Sequence, residues 1–326
     1  MIRTLLVVVT LIVATTAFVN PSLKAPTKVC APTSTALNLR VMINGMPGPM
    51  ATAVAEACLR KGLTLAPYGL TGPDVKPQAV KVLDPDTGKF QYVDLINNRE
   101  GLGKTKLAEM RAEKDDIVAI DYTHASAVNE NAQWYKREGL PFVMGTTGGD
   151  RDQLMNDVDG MNAVIAPNMG KQIVAMQRAL ENLERDFPSA FCGYKLSVTE
   201  SHQKTKADTS GTAKAVIESI NGLTKPGSSF DVETETKLIR DDEESIAFGV
   251  PPEHINGHAH HTYTLTSPDS TVTFQLQHNV NGRRVYAEGS ADAVKFLFSK
   301  VIEGGEPKIY NMIDVLESGS MEDVIV

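Results

Sequence analysis

LRVMINGMPGPMA, at residues 39–51, is the stretch that decides how this chain is expected to fold. Its first five residues have the apolar character of a short buried strand, and a proline in its second half suits the first turn of a helix. Between them lies a G-x-x-G-x-x-A form of the dinucleotide-binding fingerprint. In this motif Gly45 makes the tight turn, Gly48 lets the backbone approach a pyrophosphate, and Ala51 allows close helix packing. The stretch therefore predicts a nucleotide-binding strand–loop–helix unit.

The next elements indicate that this unit belongs to a parallel sheet. Further strands are predicted at Leu63–Leu70, Ile117–Thr123, Phe142–Met144 and Ala163–Ile165, with a helix over about 126–138. Polar or glycine-rich residues follow three of these strands, and the carboxyl ends of parallel strands form the ligand-binding edge of such sheets. Two shorter runs, Val80–Leu83 and Phe90–Val93, flank a DPDTG turn and predict an edge hairpin. We predict the α/β class, with a doubly wound parallel Rossmann-type nucleotide-binding domain.

The C-terminal half has a different pattern, which predicts a second, α+β domain built on a mixed sheet. A helix is predicted over 172–185 and another after Gly211, with strands at 194–199, 230–239, 258–266 and 271–279. A final apolar helix over 291–300 is expected to pack back on the nucleotide-binding domain. The predicted division is a leader at 1–38, a dinucleotide-binding domain at 39–168, a substrate-binding and oligomerisation domain at 169–286, and a C-terminal segment at 287–326.

The first 38 residues predict a targeting leader rather than a part of the fold. Arg3 precedes an apolar run, Leu5–Val13, and small residues follow, which is the layout of a signal peptide. Residues 18–39 carry lysines, prolines and hydroxyl residues but no acid, as transit peptides do. With the Ala17–Phe18 junction, the leader resembles the bipartite plastid-targeting leaders of algae with complex plastids, and the alternative is an ordinary secreted protein. Only three cysteines occur, one of them in the leader, which favours a reducing compartment such as the plastid stroma.

Composition limits the partners of the mature chain. The formal net charge of the full sequence is −8, so a broad basic surface for nucleic acid is not expected. No apolar run after the leader is long enough to cross a bilayer, so no membrane contact is expected in the mature form. The roughly 290 residues that remain are enough for a substantial core in one or two domains.

The residues after the second predicted strand bear on the choice of cofactor. A dinucleotide fold usually presents there an acid to the adenosine ribose or a cation to a 2′-phosphate. This chain has Thr71 at that point, with Asp74 and Lys76 further along. Neither signal stands at the strand end, so these residues do not determine the cofactor. NADPH is our preferred expectation and NADH is the alternative.

A second stretch, ESHQKTKADTSGTA at residues 200–213, has the composition of an anion-binding site. A histidine and two lysines precede a Ser-Gly-Thr turn, and a helix-forming run follows. The N–H groups and the positive dipole end at a helix start bind anions. Lysines and an imidazole beside them can hold a carboxylate and deliver a proton. The alternative interpretation is a basic loop in which Ser210 caps the helix.

Five of the seven histidines fall between His254 and His278, which raises the question of a metal site. On a strand, His258 and His260 share one face while His261 points to the other. No acid or cysteine stands beside them in the sequence, and catalytic zinc needs three ligands with orienting partners. We therefore expect no metal here, and a polar strand or subunit surface instead.

In combination these motifs resemble the dihydrodipicolinate reductase family, over about residues 39–316. The resemblance is carried by GMPGPM at 45–50, DYT at 121–123, GTTG at 145–148, APN at 166–168, the 200–212 stretch and YAEGS at 286–290. GKQ at 170–172 and the short DTSGT segment at 208–212 resemble the plant and algal branch. The resemblance implies NAD(P)H-dependent reduction of a cyclic dicarboxylate in the diaminopimelate route of lysine biosynthesis, by a homo-oligomer that is a dimer or a tetramer.

The resemblance also implies which residues form the site. The catalytic pair would be His202 and Lys206. The substrate would be bound by Gln203, Ser210, Gly211, Thr212 and Thr147. The cofactor would be bound by Gly45, Met46, Pro47, Gly48, Pro49, Met50, Asp121, Tyr122, Thr123, Gly145, Thr146, Thr147, Pro167 and Asn168.

Two departures from the family pattern affect these assignments. The bacterial pattern has a second histidine where this chain has Gln203, which can hydrogen-bond the substrate but cannot supply a proton. The proton donor is therefore His202 or Lys206. The usual third glycine of the fingerprint is Ala51.

Two other classes of protein stay open at this point. One is a different two-domain nicotinamide-dependent dehydrogenase, which would need its catalytic lysine or histidine at another place. The other is a non-catalytic dinucleotide-binding sensor, which would tend to lose the proton donor and the anion site. Both features are intact in residues 200–213.

Overall fold

The structure is a computed structural model that describes residues 39–225 and 229–319. The predicted leader at 1–38, with its cleavage junction, lies outside the described residues, and so do residues 320–326 of the predicted C-terminal segment. Among the residues that the structure describes, no helix combines the length and apolar character needed to span a membrane.

Strands and helices alternate along the first part of the described chain. The strands are β1 (Leu39–Asn44), β2 (Thr64–Leu65), β3 (Tyr68–Leu70), β4 (Gln78–Leu83), β5 (Phe90–Ile96), β6 (Asp116–Asp121), β7 (Phe142–Met144), β8 (Ala163–Ile165), β9 (Lys195–His202), β10 (Lys237–Ile239), β11 (His258–Thr266), β12 (Thr273–Asn281) and β13 (Ile309–Tyr310). The α-helices are α1 (Pro49–Arg60), α2 (Lys104–Ala112), α3 (Val128–Arg137), α4 (Arg151–Asp157), α5 (Lys171–Asp186), α6 (Gly211–Thr224), α7 (Val232–Glu235), α8 (Asp242–Ala247), α9 (Arg284–Glu303) and α10 (Met312–Glu317).

A parallel sheet of six strands forms the nucleotide-binding half, in the order β13-β8-β7-β6-β1-β2. Its central strand β6 is buried on both faces. Val118 and Ile120 lie in one apolar core with residues of α1 and α9, whereas Ile117 and Ala119 lie in another with residues of α3. Helices on both faces of a parallel sheet are the doubly wound arrangement. The predicted α/β Rossmann-type architecture is therefore confirmed.

A mixed sheet of four strands forms the second half, in the order β10-β9-β11-β12. β10 runs parallel to β9, and the other two pairings are antiparallel. Val216 and Ile217 of α6 pack with Val198 and Tyr263 of the sheet in a separate apolar core. The predicted mixed sheet is confirmed. The domain boundaries stay a prediction, and the one at 286/287 falls inside α9.

The predicted strand Leu63–Leu70 is wrong as a single element. Its first part, β2, joins the parallel sheet, and its last part, β3, joins a separate sheet of order β3-β5-β4. Pro67 stands between them and has no N–H to donate to a strand ladder. Its carbonyl instead accepts a hydrogen bond from the backbone of Asp94 at 2.9 Å. The antiparallel pairing of β4 with β5 confirms the predicted hairpin.

The predicted strand at 230–239 is also wrong over most of its length, because α7 occupies its centre and only β10 is extended. Asp231 precedes α7, and its carboxylate accepts hydrogen bonds from the backbone N–H groups of Glu233 and Thr234. Such a cap favours a helix start over a strand. Helices α2, α4 and α8 were not predicted, and α9 begins at Arg284 rather than at 291.

Candidate active site

A cleft of about 820 Å³ opens at the carboxyl edge of the parallel sheet. Its walls include the predicted cofactor residues Gly45, Met46, Pro47, Gly48, Pro49, Met50, Tyr122 and Thr123. An adjoining cavity of about 430 Å³ shares the last three of these and adds Gly145, Thr146, Thr147 and Pro167. Two predicted cofactor residues, Asp121 and Asn168, are not on the walls of either cavity. The fold thus brings most of the predicted cofactor residues to one edge.

The glycine loop has the geometry of a cradle for a bound group. Gly45 has a φ of +103°, and a Cβ at this position would lie 2.2 Å from the carbonyl oxygen of Tyr122. A Cβ on Gly48 would lie 2.7 Å from the carbonyl oxygen of Gly45, which accepts a hydrogen bond from the Gly48 N–H at 2.9 Å. Gly48 is also the N-cap of α1. Bare backbone at a helix start suits the pyrophosphate of a dinucleotide.

Replacing Gly48 with valine is expected to weaken dinucleotide binding by at least about tenfold, or about 1.4 kcal/mol. The branched side chain would meet the Gly45 carbonyl and displace the loop from the pyrophosphate position. Calorimetric titration of cofactor measures the effect. Gly305→Val is the matched control, because a Cβ at Gly305 has no neighbour within 4 Å. An affinity equal to that of the control would show that the loop is an ordinary turn.

The side chain of Asp121 connects elements that lie around the cleft. This side chain is fully buried. One carboxylate oxygen accepts hydrogen bonds from the backbone and hydroxyl of Thr123 and from the Thr146 hydroxyl, at 2.7–3.0 Å. The other accepts from Tyr135 at 2.7 Å and Asn131 at 3.0 Å. Asp121 therefore ties the loops after β6 and β7 to α3, and it does not face the cleft.

Helix α9 contributes to the same wall. The Tyr122 hydroxyl lies 2.7 Å from the Ser290 hydroxyl, which belongs to the YAEGS motif. A Cβ on Gly145 would lie 2.3 Å from the Tyr122 hydroxyl, so Gly145 leaves space for the tyrosine ring. Burial raises the pKa of Tyr122 to about 12, and the ring stays neutral at physiological pH.

The Ser-Gly-Thr turn starts α6, as both interpretations of this stretch required. The Ser210 hydroxyl accepts the Ala213 N–H at 3.0 Å, so Ser210 is a true N-cap. Gly211 is exposed, and nothing lies within 4 Å of where its Cβ would be. The Thr212 hydroxyl accepts a hydrogen bond from the amide of Asn168 at 3.1 Å. Asn168 follows β8, so this bond joins the parallel sheet to the start of α6.

Glu200 on β9 is the buried centre of this half of the site. Its carboxylate accepts hydrogen bonds from the Ser210 backbone at 2.9 Å and from Nη2 of Arg240 at 2.5 Å. Burial alone would raise the pKa of Glu200, but hydrogen bonds from His261, Ser210 and Arg240 lower it to about 2. Arg240 also donates to the carbonyl of Lys206 at 2.6 Å. This hydrogen bond holds the loop after β9 in place. Arg240 was not among the residues predicted for the site.

The predicted catalytic pair flanks this centre. His202 is 8% exposed, and burial lowers its pKa to about 3, so its ring is neutral near pH 7. Lys206 is half-buried, with its Nζ 2.9 Å from a carboxylate oxygen of Asp208. Gln203 is partly buried, and its backbone carbonyl accepts a hydrogen bond from the backbone N–H of Lys206 at 3.0 Å. The roles of these residues stay predictions.

The histidines at 258–261 lie on a strand, β11, as expected, but they do not form an exposed surface of this chain. His258, His260 and His261 are all buried. Nor does His261 lack an acidic neighbour, because antiparallel pairing of β9 with β11 sets it opposite Glu200, with Nε2 3.3 Å from the Glu200 carboxylate.

Glu200, His202 and His261 each bring one ligand atom within 4.8 Å of the others, a spacing that a metal ion could use. Two observations argue against a metal at this place. The Glu200 carboxylate is already bound by the Arg240 cation and a backbone N–H. Nδ1 of His261 also has no partner among the described residues, whereas metal-bound imidazoles are normally oriented through the second nitrogen. We therefore assign no metal to these three side chains.

Comparison with known proteins accounts for both halves of the chain. The family model "Dihydrodipicolinate reductase, N-terminus" matches residues 39–169, and "Dihydrodipicolinate reductase, C-terminus" matches residues 172–316. The chain belongs to the dihydrodipicolinate reductase family. The resemblance predicted from the motifs is confirmed, and membership of this reductase family makes the chain an oxidoreductase that uses a nicotinamide cofactor.

Individual proteins that are similar to this chain support the same family assignment. "Probable 4-hydroxy-tetrahydrodipicolinate reductase 1, chloroplastic" of Oryza sativa subsp. japonica is 46% identical over 284 residues, which cover 86% of this chain and 79% of the relative. "4-hydroxy-tetrahydrodipicolinate reductase 2, chloroplastic" of Arabidopsis thaliana is 46% identical, over 87% and 78%. A solved structure of dipicolinate-bound dihydrodipicolinate reductase from Paenisporosarcina sp. TG-14 shares the fold, with a TM-score of 0.54, 20% identity, and coverage of 83% of this chain and 97% of that one.

Proposed function

We propose that this enzyme reduces 4-hydroxy-tetrahydrodipicolinate to tetrahydrodipicolinate in the diaminopimelate route of lysine biosynthesis. The observation that carries the proposal is the hydrogen bond between Asn168 and Thr212. This bond joins the start of α6 to the residues that follow β8, and it supports the proposal because a carboxylate bound at the helix start would then lie close to a nicotinamide at the carboxyl edge of the sheet. The plant relatives carry this activity in their names and are called chloroplastic, in agreement with the plastid leader predicted for this chain.

Each part of the site has a role in this reaction. A bound reduced nicotinamide supplies the hydride. The backbone N–H groups at Gly211 and Thr212 hold a substrate carboxylate at the positive end of α6. The 4-hydroxyl of the substrate leaves as water, which gives the conjugated imine that accepts the hydride. The Lys206 ammonium stabilises the negative charge that then develops towards the ring nitrogen and donates the proton that completes the reduction. We assign the proton to Lys206 because neutral His202, with its pKa lowered to about 3 by burial, has little proton to give near pH 7.

We propose NADPH as the preferred cofactor. Arg99 follows β5, whose last residue pairs with the last residue of β3, and it is on the wall of the larger cleft. A dinucleotide fold can place a cation for a 2′-phosphate in this region. Its guanidinium is held by the Asn131 amide oxygen at 2.7 Å and by the carboxylate of Glu130. No acid directly follows β3 to select a free ribose, since Thr71 occupies that position and donates to the Met46 carbonyl at 2.6 Å.

We also propose that the enzyme is a homo-oligomer, either a dimer or a tetramer. β12 is an edge strand of the mixed sheet, and Phe274 on it is half-exposed. The unpaired edge of such a strand, together with an exposed apolar side chain, is a surface that another chain can pair with and cover. Light scattering coupled to gel filtration measures the mass, and a monomer would contradict the proposal. With a net charge of −8, nucleic acid is not a proposed partner.

The test of the proposed function is oxidation of NADPH by purified enzyme lacking residues 1–38, with freshly prepared 4-hydroxy-tetrahydrodipicolinate. Turnover that depends on this substrate, with a larger kcat/KM for NADPH than for NADH, is the expected result. Cofactor binding without turnover would favour a non-catalytic sensor. Turnover only with another carbonyl or imine substrate would favour a different dehydrogenase.

Thr212→Val is expected to raise KM for the dicarboxylate by about tenfold to a hundredfold, the value of a charge-assisted hydrogen bond of roughly 1.5–3 kcal/mol. The change is nearly isosteric and deletes the hydroxyl that Asn168 also contacts. Steady-state kinetics and titration with pyridine-2,6-dicarboxylate, a planar mimic of the substrate, measure the loss. Thr64→Val on β2 is the control, because Thr64 is exposed and is not on the walls of either cavity. Unaltered inhibitor affinity in Thr212→Val would mean that the turn only caps α6.

A further inference from the structure

Asn168 lies in the loop between β8 and α5, and its side-chain amide connects this loop with the starts of two helices. The amide oxygen Oδ1 accepts a hydrogen bond from the backbone N–H of Gly170 at 2.8 Å, and Gly170 is the N-cap of α5. The amide nitrogen Nδ2 is 3.1 Å from the hydroxyl of Thr212, in the first turn of α6. Asn168 is not on the walls of the two cavities at the carboxyl edge of the sheet. Its contacts therefore link it to the start of α6 and not to the cofactor cleft.

Helix α9 holds the backbone next to Asn168 in place. A Cβ on Gly289 of α9 would lie 1.8 Å from the carbonyl oxygen of Met169, so the backbones of the helix and the loop are in close contact. The ammonium of Lys171, the first residue of α5, forms a buried ion pair with Asp292 of α9. Because both neighbours of this loop segment are anchored, the direction from which the Asn168 amide approaches α6 is also set.

The contact with Gly170 determines the orientation of the Asn168 amide. A backbone N–H can only donate, so the side-chain atom that faces it is the oxygen, and the atom that faces Thr212 is the nitrogen. An amide NH₂ group also can only donate, so the Thr212 oxygen is the acceptor. The single hydrogen of the Thr212 hydroxyl therefore points away from Asn168. Over residues 39–225 and 229–319, this hydroxyl donates no hydrogen bond to another group.

We propose that Asn168 is a positioning residue that keeps the hydrogen of the Thr212 hydroxyl available for the substrate. The inference rests on the proposed function, in which a dicarboxylate binds at the start of α6. A carboxylate can only accept hydrogen bonds, so the hydroxyl has to present its hydrogen to bind one. If the hydroxyl donated to residue 168 instead, it would present a lone pair to the carboxylate. Asn168 thus acts on the substrate through Thr212, and it does not contact the dinucleotide.

Asn168→Asp tests the proposal, because the change is nearly isosteric and reverses the hydrogen bond. One carboxylate oxygen can still accept from Gly170, but the other accepts the Thr212 hydrogen and so withdraws it from the substrate. We expect the affinity for pyridine-2,6-dicarboxylate, measured by calorimetric titration of enzyme saturated with NADPH, to fall by at least about tenfold. The affinity for NADPH should not change. Asn168→Ala should lose only about threefold in dicarboxylate affinity, because the released hydroxyl can still turn to the ligand.

Asn168→Asp combined with Thr212→Val is the control for the charge that the aspartate adds near the ligand. Without a hydroxyl to turn, only repulsion through space remains, so the loss caused by Asn168→Asp should be several-fold smaller. In Thr212→Ser, which keeps a hydroxyl, Asn168→Asp should again cause its full loss. An equal loss with Thr212→Val would overturn the proposal, because the hydroxyl would then not carry the effect. A parallel loss of NADPH affinity would overturn it as well, because it would place Asn168 in the cofactor site.

If Asn168→Asp does not fold, Asn168→Ala replaces it in the same comparison. Its threefold loss is expected with Thr212 and should vanish with Thr212→Val, and an equal loss in both would contradict the proposal. These titrations require a bound dicarboxylate but no turnover. An unsubstituted enzyme that binds pyridine-2,6-dicarboxylate and does not reduce 4-hydroxy-tetrahydrodipicolinate would therefore remove the proposed function and leave this test intact.

Discussion

Replacing Lys206 with alanine is expected to lower kcat by about 10²- to 10⁴-fold, the usual contribution of a positioned general acid. The ammonium is the one proton donor that we assign to the reaction, because burial keeps His202 neutral and Gln203 cannot ionise. Affinity for the dinucleotide should not change, since Lys206 is not on the walls of the cofactor cleft. Steady-state kinetics and cofactor titration on the same preparation measure both quantities.

Lys204→Ala is the matched control for this variant. Lys204 lies two residues earlier in the same loop, is largely exposed, and pairs with Asp242 at 2.9 Å outside the site. Its loss should change kcat by less than about twofold, as expected of a surface ion pair. A kcat near that of the unsubstituted enzyme in Lys206→Ala would remove Lys206 from the catalytic pair and leave His202 as the candidate donor.

Replacing Arg240 with leucine is expected to lower the free energy of unfolding by about 3–5 kcal/mol, because it leaves a buried carboxylate without its cation. Glu200 is fully buried, and the Arg240 side chain is 17% exposed. The same change removes the hydrogen bonds from Arg240 to the carbonyls of Lys206 and Asp208, so kcat should fall as well. Urea unfolding followed by circular dichroism measures the stability.

The double variant Arg240→Leu with Glu200→Gln separates the two contributions. Once the buried charge is gone, a large part of the lost stability should return, whereas the fastening of the loop should not. Arg240→Lys keeps the charge but loses the planar fork, and it should lie between the two. A single variant Arg240→Leu as stable as the unsubstituted enzyme would show that solvent already compensates Glu200.

The pH dependence of stability follows from the same groups. The pKa of Glu200 is lowered from 4.5 to about 2, so its contribution to stability is complete above pH 4.5 and is lost as the pH falls towards 2. The pKa of His202 is lowered from 6.5 to about 3 by burial, so the unfolded chain binds a proton that the folded chain does not, and stability also falls with pH below 6.5. In Arg240→Leu the loss below pH 4.5 should be smaller.

The architecture was predictable from the sequence where local composition and sheet geometry agree. Buried runs such as β6 and β8 have the apolar character that a parallel sheet demands, and the glycine loop after β1 identifies the ligand-binding edge. The prediction failed where one local feature redirected the chain. Pro67 interrupts a run that is otherwise apolar, and Asp231 starts a short helix in a segment with the composition of a strand.

The sequence also indicated which motif residues meet at the carboxyl edge of the sheet, although their roles stay predictions. It did not indicate the buried partners of the 200–213 stretch. Arg240 and His261 reach Glu200 only through the pairing of β10 and β11 with β9. A shift of one residue in either register would have turned a different set of side chains towards Glu200. Asp121 was placed in the cofactor site because it belongs to the DYT motif that carries the family resemblance, whereas the pleat of β6 turns its carboxylate inward.

The hydrogen bonds that converge on Asp121 have a thermodynamic consequence for the cofactor loops. The hydroxyls of Thr123 and Thr146 are anchored on one carboxylate that the core encloses, so these loops keep a single shape before any ligand arrives. The conformational entropy of ordering them is lost when the chain folds, not when the dinucleotide binds. Because this entropy cost does not have to be met when the dinucleotide binds, the preordered loops increase the affinity for the cofactor.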